Sequence, residues 1–244
     1  MLTDIWTIMQ KEWKEMLLQR PNLRGGWVGL VVMIGVFGIF IPIQNGPGWI
    51  TSPANMVLWA WVPFLLVSGV VADSFAGERE RHTLETLLAS RLSDRAILLG
   101  KVGAAMAYGW GLTILSVFLG LITVNVAFGK GNLLLYPLNI ALGILLLTLL
   151  IAVFAAALGV LVSLRSSTVR QAQQGFNVAM LVFLIPVLAF PMLPDDVQAQ
   201  ILRVVSSADV NALLFGALGV LVLVNAGLIA LAMARFKRAR LILD

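Results

Sequence analysis

Few side chains in this 244-residue chain can do covalent chemistry. There is one histidine, His82, and no cysteine. Without cysteine there is no disulfide, no thiol nucleophile and no cysteine-zinc site. No HExxH pair and no serine-histidine arrangement can be built inside an apolar run. The phosphate-binding pattern GxxxxGK[ST] is also missing, so ATP cannot be held in the usual P-loop way. These residues predict a chain that is not an enzyme and holds no metal or cofactor of its own. What remains is recognition, and it concentrates in Ala76–Lys101. There Glu78, Arg79, Glu80, Arg81, Glu85 and Arg91 surround Leu84, Leu87 and Leu88, which fall at i, i+3 and i+4 on one helical face. Taken alone, such a ridge suits either a groove on a partner protein or packing on its own bundle. Ser93 is placed to cap the helix that follows.

The elements that must position this segment are apolar. The chain is 60% hydrophobic and only 12% charged, about half the charge of an ordinary soluble domain, which runs near 25%. Lipid is the solvent that suits it. The apolar runs are Trp27–Ile43, Met56–Ala72, Val102–Phe128, Pro137–Leu164, Phe176–Leu193 and Ala212–Phe236. Each approaches or exceeds the roughly 17–25 residues that cross a hydrocarbon core. Unbroken apolar runs favour helices over barrel strands, which alternate. The fold expected is therefore all-α and integral to a membrane: one domain over residues 1–244 with six transmembrane helices.

Charge sets the expected orientation. Six crossings leave both termini on one side. That side then holds every lysine and arginine except Lys130 and Arg203, and by the positive-inside rule it is cytoplasmic. The net charge of +5 is thus a topology signal, and nucleic acid is not an expected partner. Trp27, Trp49 and Tyr136 are expected at the headgroup level. Pro63 and Pro186 are expected to bend their spans. Ser116/Gly120 and Ala155/Gly159 have the spacing that lets helices approach closely.

Residues 1–20 read as an amphipathic helix lying in the interface. Leu2, Ile5, Trp6, Met9, Trp13, Met16 and Leu17 make one apolar face, opposed by Asp4, Thr7, Lys11, Lys14 and Glu15. Ile8 breaks that pattern, and Pro21 ends the helix. The stretch has no continuous apolar core, so it is not read as a cleavable signal. No ionisable residue falls at mid-run; Asp73, Lys101 and Asp209 sit at run ends. That disfavours proton coupling. Ser68, Thr113, Ser116, Asn125, Asn139, Thr148, Asn177 and Asn225 are expected to bond between helices, some lining a substrate path. On the far side, Asp195 or Asp196 is placed to cap a short amphipathic helix containing Val197, Ile201, Val204 and Val205.

Three stretches carry a resemblance: Gly77-Glu78-Arg79-Glu80-Arg81, then Thr83 to Ser90, then Ile97-Leu98-Leu99-Gly100-Lys101. Together they resemble the signature of ABC-2 type transporter permeases. Lys11-Glu12-Trp13-Lys14-Glu15 and the closing Arg235-Phe236-Lys237-Arg238 are similar to that family's ends. Two positions depart from it: His82 stands where glycine is common, and Arg91 where proline is common. The resemblance implies a membrane subunit of an ATP-driven transporter in the cell (inner) membrane, an exporter. It implies pairing with a second permease chain and with a cytoplasmic ABC ATPase subunit that binds ATP and magnesium. Segment 76–98 becomes the coupling segment, with Glu78, Glu80, Arg81, Leu84, Glu85, Leu87 and Leu88 meeting the ATPase. Trp6, Met9, Trp13, Met16 and Leu17 anchor the interfacial helix. The readings set against this are an ion-coupled carrier or channel without an ATPase, and a membrane scaffold or assembly factor.

Overall fold

The computed structural model describes residues 1–18, 23–207 and 210–236. The expected helix stop at Pro21, the basic residues Arg20, Lys237, Arg238 and Arg240, and Asp209 lie outside them. So do the side chains of Leu17, Arg24, Trp27, Pro186, Ile201, Val204 and Val205.

All regular structure among the described residues is helical, as lipid requires of apolar segments that must satisfy their own backbone. Helix α1 is Leu2–Leu18. Helix α2 (Leu23–Gly35) continues through a π-helical turn, Val36–Phe40, into α3 (Ile41–Asn45). A short α4 (Gly48–Thr51) leads to α5 (Asn55–Val71), and two single-turn helices follow, α6 (Ala76–Glu80) and α7 (Leu84–Leu88). Then come α8 (Asp94–Phe128), α9 (Leu138–Arg165), α10 (Val169–Ala189), α11 (Asp195–Ser207) and α12 (Val210–Arg235). Ser93 caps α8 as expected, its Oγ accepting from the Ala96 amide at 3.2 Å. Asp195 and Asp196 instead lie inside the first turn of α11, behind Pro194, so neither is its cap.

By length and composition, five helices among the described residues can cross a membrane: Val28–Asn45, Asn55–Glu80, Asp94–Phe128, Leu138–Arg165 and Ala212–Arg235. The sixth expected crossing, Phe176–Leu193, falls in α10 and the 3-10 turn Phe190–Met192 and is not one of them. Some of the side chains in that run lie outside the described residues.

Helix α5 lies against both α8 and α9 at the centre of the bundle. Gly159 on α9 is the seat of Val71: a Cβ added there would lie 1.7 Å from the Val71 Cγ1. Beside it Phe64, Phe154 and Phe176 form a ring cluster, with Phe64 and Phe176 centroids 5.0 Å apart. A second apolar cluster fills the other half around Trp59 and Trp49, whose centroids are 5.3 Å apart. Trp49 is buried in the core, because α4 folds it back between α3 and α8.

Most of the hydroxyls expected to join helices serve their own. Thr113, Ser116 and Thr148 donate to carbonyls four residues back. Asn225 does cross between helices, donating to the Leu150 carbonyl at 3.0 Å. The outside is apolar where lipid must lie: Val28, Val31 and Val32 on α2, Leu115, Phe118 and Ile122 on α8, Val220 and Leu223 on α12 are exposed.

Gly159→Val should lower the thermal midpoint in lipid or detergent by the equivalent of about 1–3 kcal/mol, the usual cost of overpacking. Adding Val71→Ala should recover part of the loss. Thermal unfolding of the two variants checks both.

Candidate functional site at the charged end of the bundle

Glycine at 77 and the short run after it let α6 sit deep in the charged end. The added Cβ of a residue at Gly77 would meet the Asp73 carboxylate at 2.0 Å. The turn between α5 and α6 is held by Ser163 of α9. Its Oγ accepts from the Phe75 and Ala76 amides at 3.1 and 2.9 Å and donates to the Ala72 carbonyl at 3.1 Å. One hydroxyl thus serves the end of α5 and the start of α6 together.

From α6 and the residue that caps it, four consecutive side chains reach different elements. Glu78 is 2% exposed and accepts from Lys11 of α1 and, at 3.1 Å, from Lys101 of α8. Arg79 donates to the Ser166 and Leu164 carbonyls at the end of α9, where a cation suits the helix dipole. The Glu80 carboxylate accepts from the Val169 amide at 3.0 Å, a free donor at the start of α10 where an anion is favoured. Arg81 makes a forked pair with Asp73 at 3.0 and 3.4 Å, just past the end of α5.

Lys101 is the centre of this hub. It is 2% exposed, and an ammonium has three donors to satisfy. It meets Glu12 Oε1 and the Ser74 carbonyl, each at 2.7 Å, then Glu78, and stands 5.0 Å from the Phe75 ring centroid. Glu12, Glu15 and Glu78 converge with oxygens within 4.8 Å of one another, an arrangement that can hold a cation. The cation beside them is the Lys11 ammonium, which also lies 3.2 Å from Glu15 and 3.5 Å from Glu12. Partial burial works against that charge. Glu78, by charge and hydrogen bond, with Glu12 and Glu15 adding theirs, still holds the Lys11 pKa above the ordinary lysine value.

The N-terminal helix is docked by the residue that broke its pattern. Ile8 is 2% exposed and lies against Gly100 of α8, where an added Cβ would come within 2.6 Å of it. Trp13 donates to the Ala104 carbonyl at 3.2 Å. Trp6 is half exposed and stacks edge-on with Trp13, 5.8 Å between centroids; Met9 and Met16 are partly buried. The helix therefore has two apolar sides. One, built on Ile8, faces the bundle, and the other, with Leu2 and Trp6, is open.

The leucine ridge is not free either. Leu84 and Leu88 are buried in the core with Phe75, Ile97 and Phe236, and Leu87 packs partly against it. Of the two placements the ridge allowed, the chain by itself takes packing on its own bundle, which removes Leu84 and Leu88 from water. What α7 exposes is Glu85, Thr86 and the nearby Thr83, Ala89 and Arg91. Sequence spacing alone did not single out Glu12, Lys101, Asp73 or Ser163. The available signal was a pair of charges, Glu12 and Lys101, on otherwise apolar faces.

His82 explains its own departure from the resemblance. The Thr83 amide bonds the Glu78 carbonyl at 2.9 Å and the His82 amide the Arg79 carbonyl at 3.1 Å, the pair of bonds that closes a Schellman helix end. That motif places its turning residue in the left-handed region, and His82 has φ +57°, where glycine is at ease and other residues are not.

Three substitutions test the hub. Lys101→Met should cost about 3–5 kcal/mol, because it strands buried carboxylates, and Glu12→Gln added to it should recover part. His82→Gly should raise the unfolding midpoint by the equivalent of about 1 kcal/mol by relieving the left-handed strain. Thermal unfolding of each purified variant measures both.

A sequence model described as ABC-2 family transporter protein matches residues 53–210, from just before α5 to the start of α12 and so through the whole α6–α7 hub. No curated protein matches the chain. A match over more than half its length, on a helical bundle with several apolar crossings, places this chain in the ABC-2 family of transporter proteins, a multi-pass membrane component of a transporter.

Proposed function

We propose that the chain is the permease subunit of an ATP-driven exporter. Two permease chains pair in the membrane, and a separate ABC ATPase subunit binds ATP and magnesium beneath them. The charged end is cytoplasmic, both termini lie there, and α10 makes a sixth crossing. The near-complete segregation of lysine and arginine supports that orientation.

The observation that carries this reading is the wiring of α6. Glu78, Arg79, Glu80 and Arg81 tie one short helix to α1 and α8, to α9, to α10 and to Asp73 after α5. A push on α6 and α7 must therefore be felt by five elements at once, which is what a coupling element needs. Of the coupling residues expected from the sequence, Glu78, Glu80 and Arg81 act inward in this scheme as transmission. Leu84, Leu87 and Leu88 fix α7 to the core. Glu85 is left to face the ATPase, together with Thr86, Ala89 and Arg91.

In the complex, a P-loop ATPase should copurify with the tagged chain, and the pair should hydrolyse ATP and drive ATP-dependent efflux. Glu85→Arg combined with Ala89→Asp should release the ATPase while leaving the permease's thermal midpoint unchanged. A complex that survives this double change would move the docking surface elsewhere.

A further inference from the structure

The hairpin that joins α8 to α9 lies at the end of the bundle opposite the charged hub, and it turns on an unfavourable residue. The Asn132 amide bonds the Gly129 carbonyl at 2.7 Å, which closes a four-residue turn. Its central residues, Lys130 and Gly131, have φ +43° and +86°. Two positive φ angles in succession make a type I′ turn, where glycine, asparagine and aspartate belong. Gly131 is at ease there. Lys130 is not, because its Cβ crowds the following carbonyl. A lysine held against its backbone preference points to a use for its side chain.

The turn is also locked. Asn125, near the end of α8, donates to the Leu134 carbonyl at 2.8 Å and accepts from the Leu134 amide at 2.7 Å. Its amide bonds the extended backbone as a neighbouring strand would, so the chain after the turn is held at a fixed distance from α8. Here lies an open groove of about 460 Å³, lined by Leu121, Ile122, Val126, Leu133 and the polar Asn132. Val126 is 83% exposed and Leu133 76%, so nothing in the chain covers them.

The level of the groove and the charge beside it say what does. From Lys101 to Val126 helix α8 rises about 37 Å, at 1.5 Å per residue. A hydrocarbon core is about 30 Å thick. A helix whose buried lysine marks one surface has therefore reached the other by Val126, where acyl chains meet headgroups. Lys130 stands there exposed and in no ion pair among the described residues. The chain has no acidic residue between Glu15 and Asp73 or between Asp94 and Asp195. Neither the α3–α5 connection nor the α8–α9 hairpin can offer Lys130 a carboxylate.

We propose that this groove holds a phospholipid with a net negative head, drawn from the leaflet away from the hub. Lys130 pairs with its phosphate, Asn132 hydrogen-bonds the head, and one acyl chain lies along Ile122, Val126 and Leu133. The left-handed turn sets an ammonium above an apolar groove, and the Asn125 clamp keeps the two in register. The site stands whether or not the chain is an exporter.

The chain has no cysteine, so one fluorophore can be placed beside the groove. Full-length chain carrying Leu135→Cys, an exposed position just past Leu133, is labelled with bimane. It is reconstituted in bilayers containing brominated phosphatidylglycerol or brominated phosphatidylcholine. Quenching should report phosphatidylglycerol bound about fivefold more tightly, the preference one lysine gives at a membrane surface. The same label at Leu115→Cys, on the exposed middle of α8, should report no preference. Lys130→Gly should abolish the preference yet raise the unfolding midpoint, because glycine relieves the turn; Lys130→Arg should keep the preference.

Equal quenching by the two lipids at Leu135→Cys overturns the site. A preference that survives Lys130→Gly, or one as strong at Leu115→Cys, does the same, since it would belong to the basic residues of the charged end. Oxidative cross-linking of Val126→Cys between two copies also overturns it, by giving the groove to a second chain.

Discussion

A lysine ammonium cut off from water must find acceptors for all three of its protons, and most of the charged end follows from how Lys101 finds them. Its partners come from three segments: Glu12 on α1, the Ser74 carbonyl after α5, and Glu78 on α6. None of those segments can shift without leaving a charge or a carbonyl unpaired in a poorly solvated place, where the penalty for a lost partner is large. Lys11 adds a second cation against the same Glu78 carboxylate. The N-terminal helix, the arm and the third apolar helix are therefore one body at this end, joined by charge where packing alone would let them slide.

Around that pin the arm is stiff. Ser163 stitches the turn before α6, the Schellman bonds through His82 close its end, and Leu84 and Leu88 bury α7 in the core. A stiff arm passes displacement on; a floppy one absorbs it. The residue that strains the arm's turn, His82 at positive φ, is also the one that departs from the family's usual glycine.

The membrane layer obeys a different rule. With lipid as the solvent, apolar exteriors on α2, α8 and α12 carry no penalty, and hydroxyls such as Thr113 and Thr148 are satisfied by their own helix. Close contacts then come from small residues, as where Gly159 admits Val71.

Composition and periodicity determined a good deal. Continuous apolar runs left no backbone solution but helices, so five crossings and their approximate limits were readable. The Ser93 cap and a short charged arm between the second and third runs were readable too, because both depend on neighbours in sequence. What periodicity could not decide was which of two apolar faces on α1 would dock, since Leu2, Trp6 and Ile8 are equally apolar and only Gly100, far along the chain, makes room for Ile8. Nor could it tell an exposed leucine ridge from a buried one, or a surface tryptophan from Trp49 in the core. The charged run Glu78–Arg81 looked like a solvated rim because a sequence shows charges without their partners. Those partners, at positions 11, 73, 101, 164, 166 and 169, lie up to 89 residues away, and only the packing of α1, α8, α9 and α10 around one short helix brings them within reach.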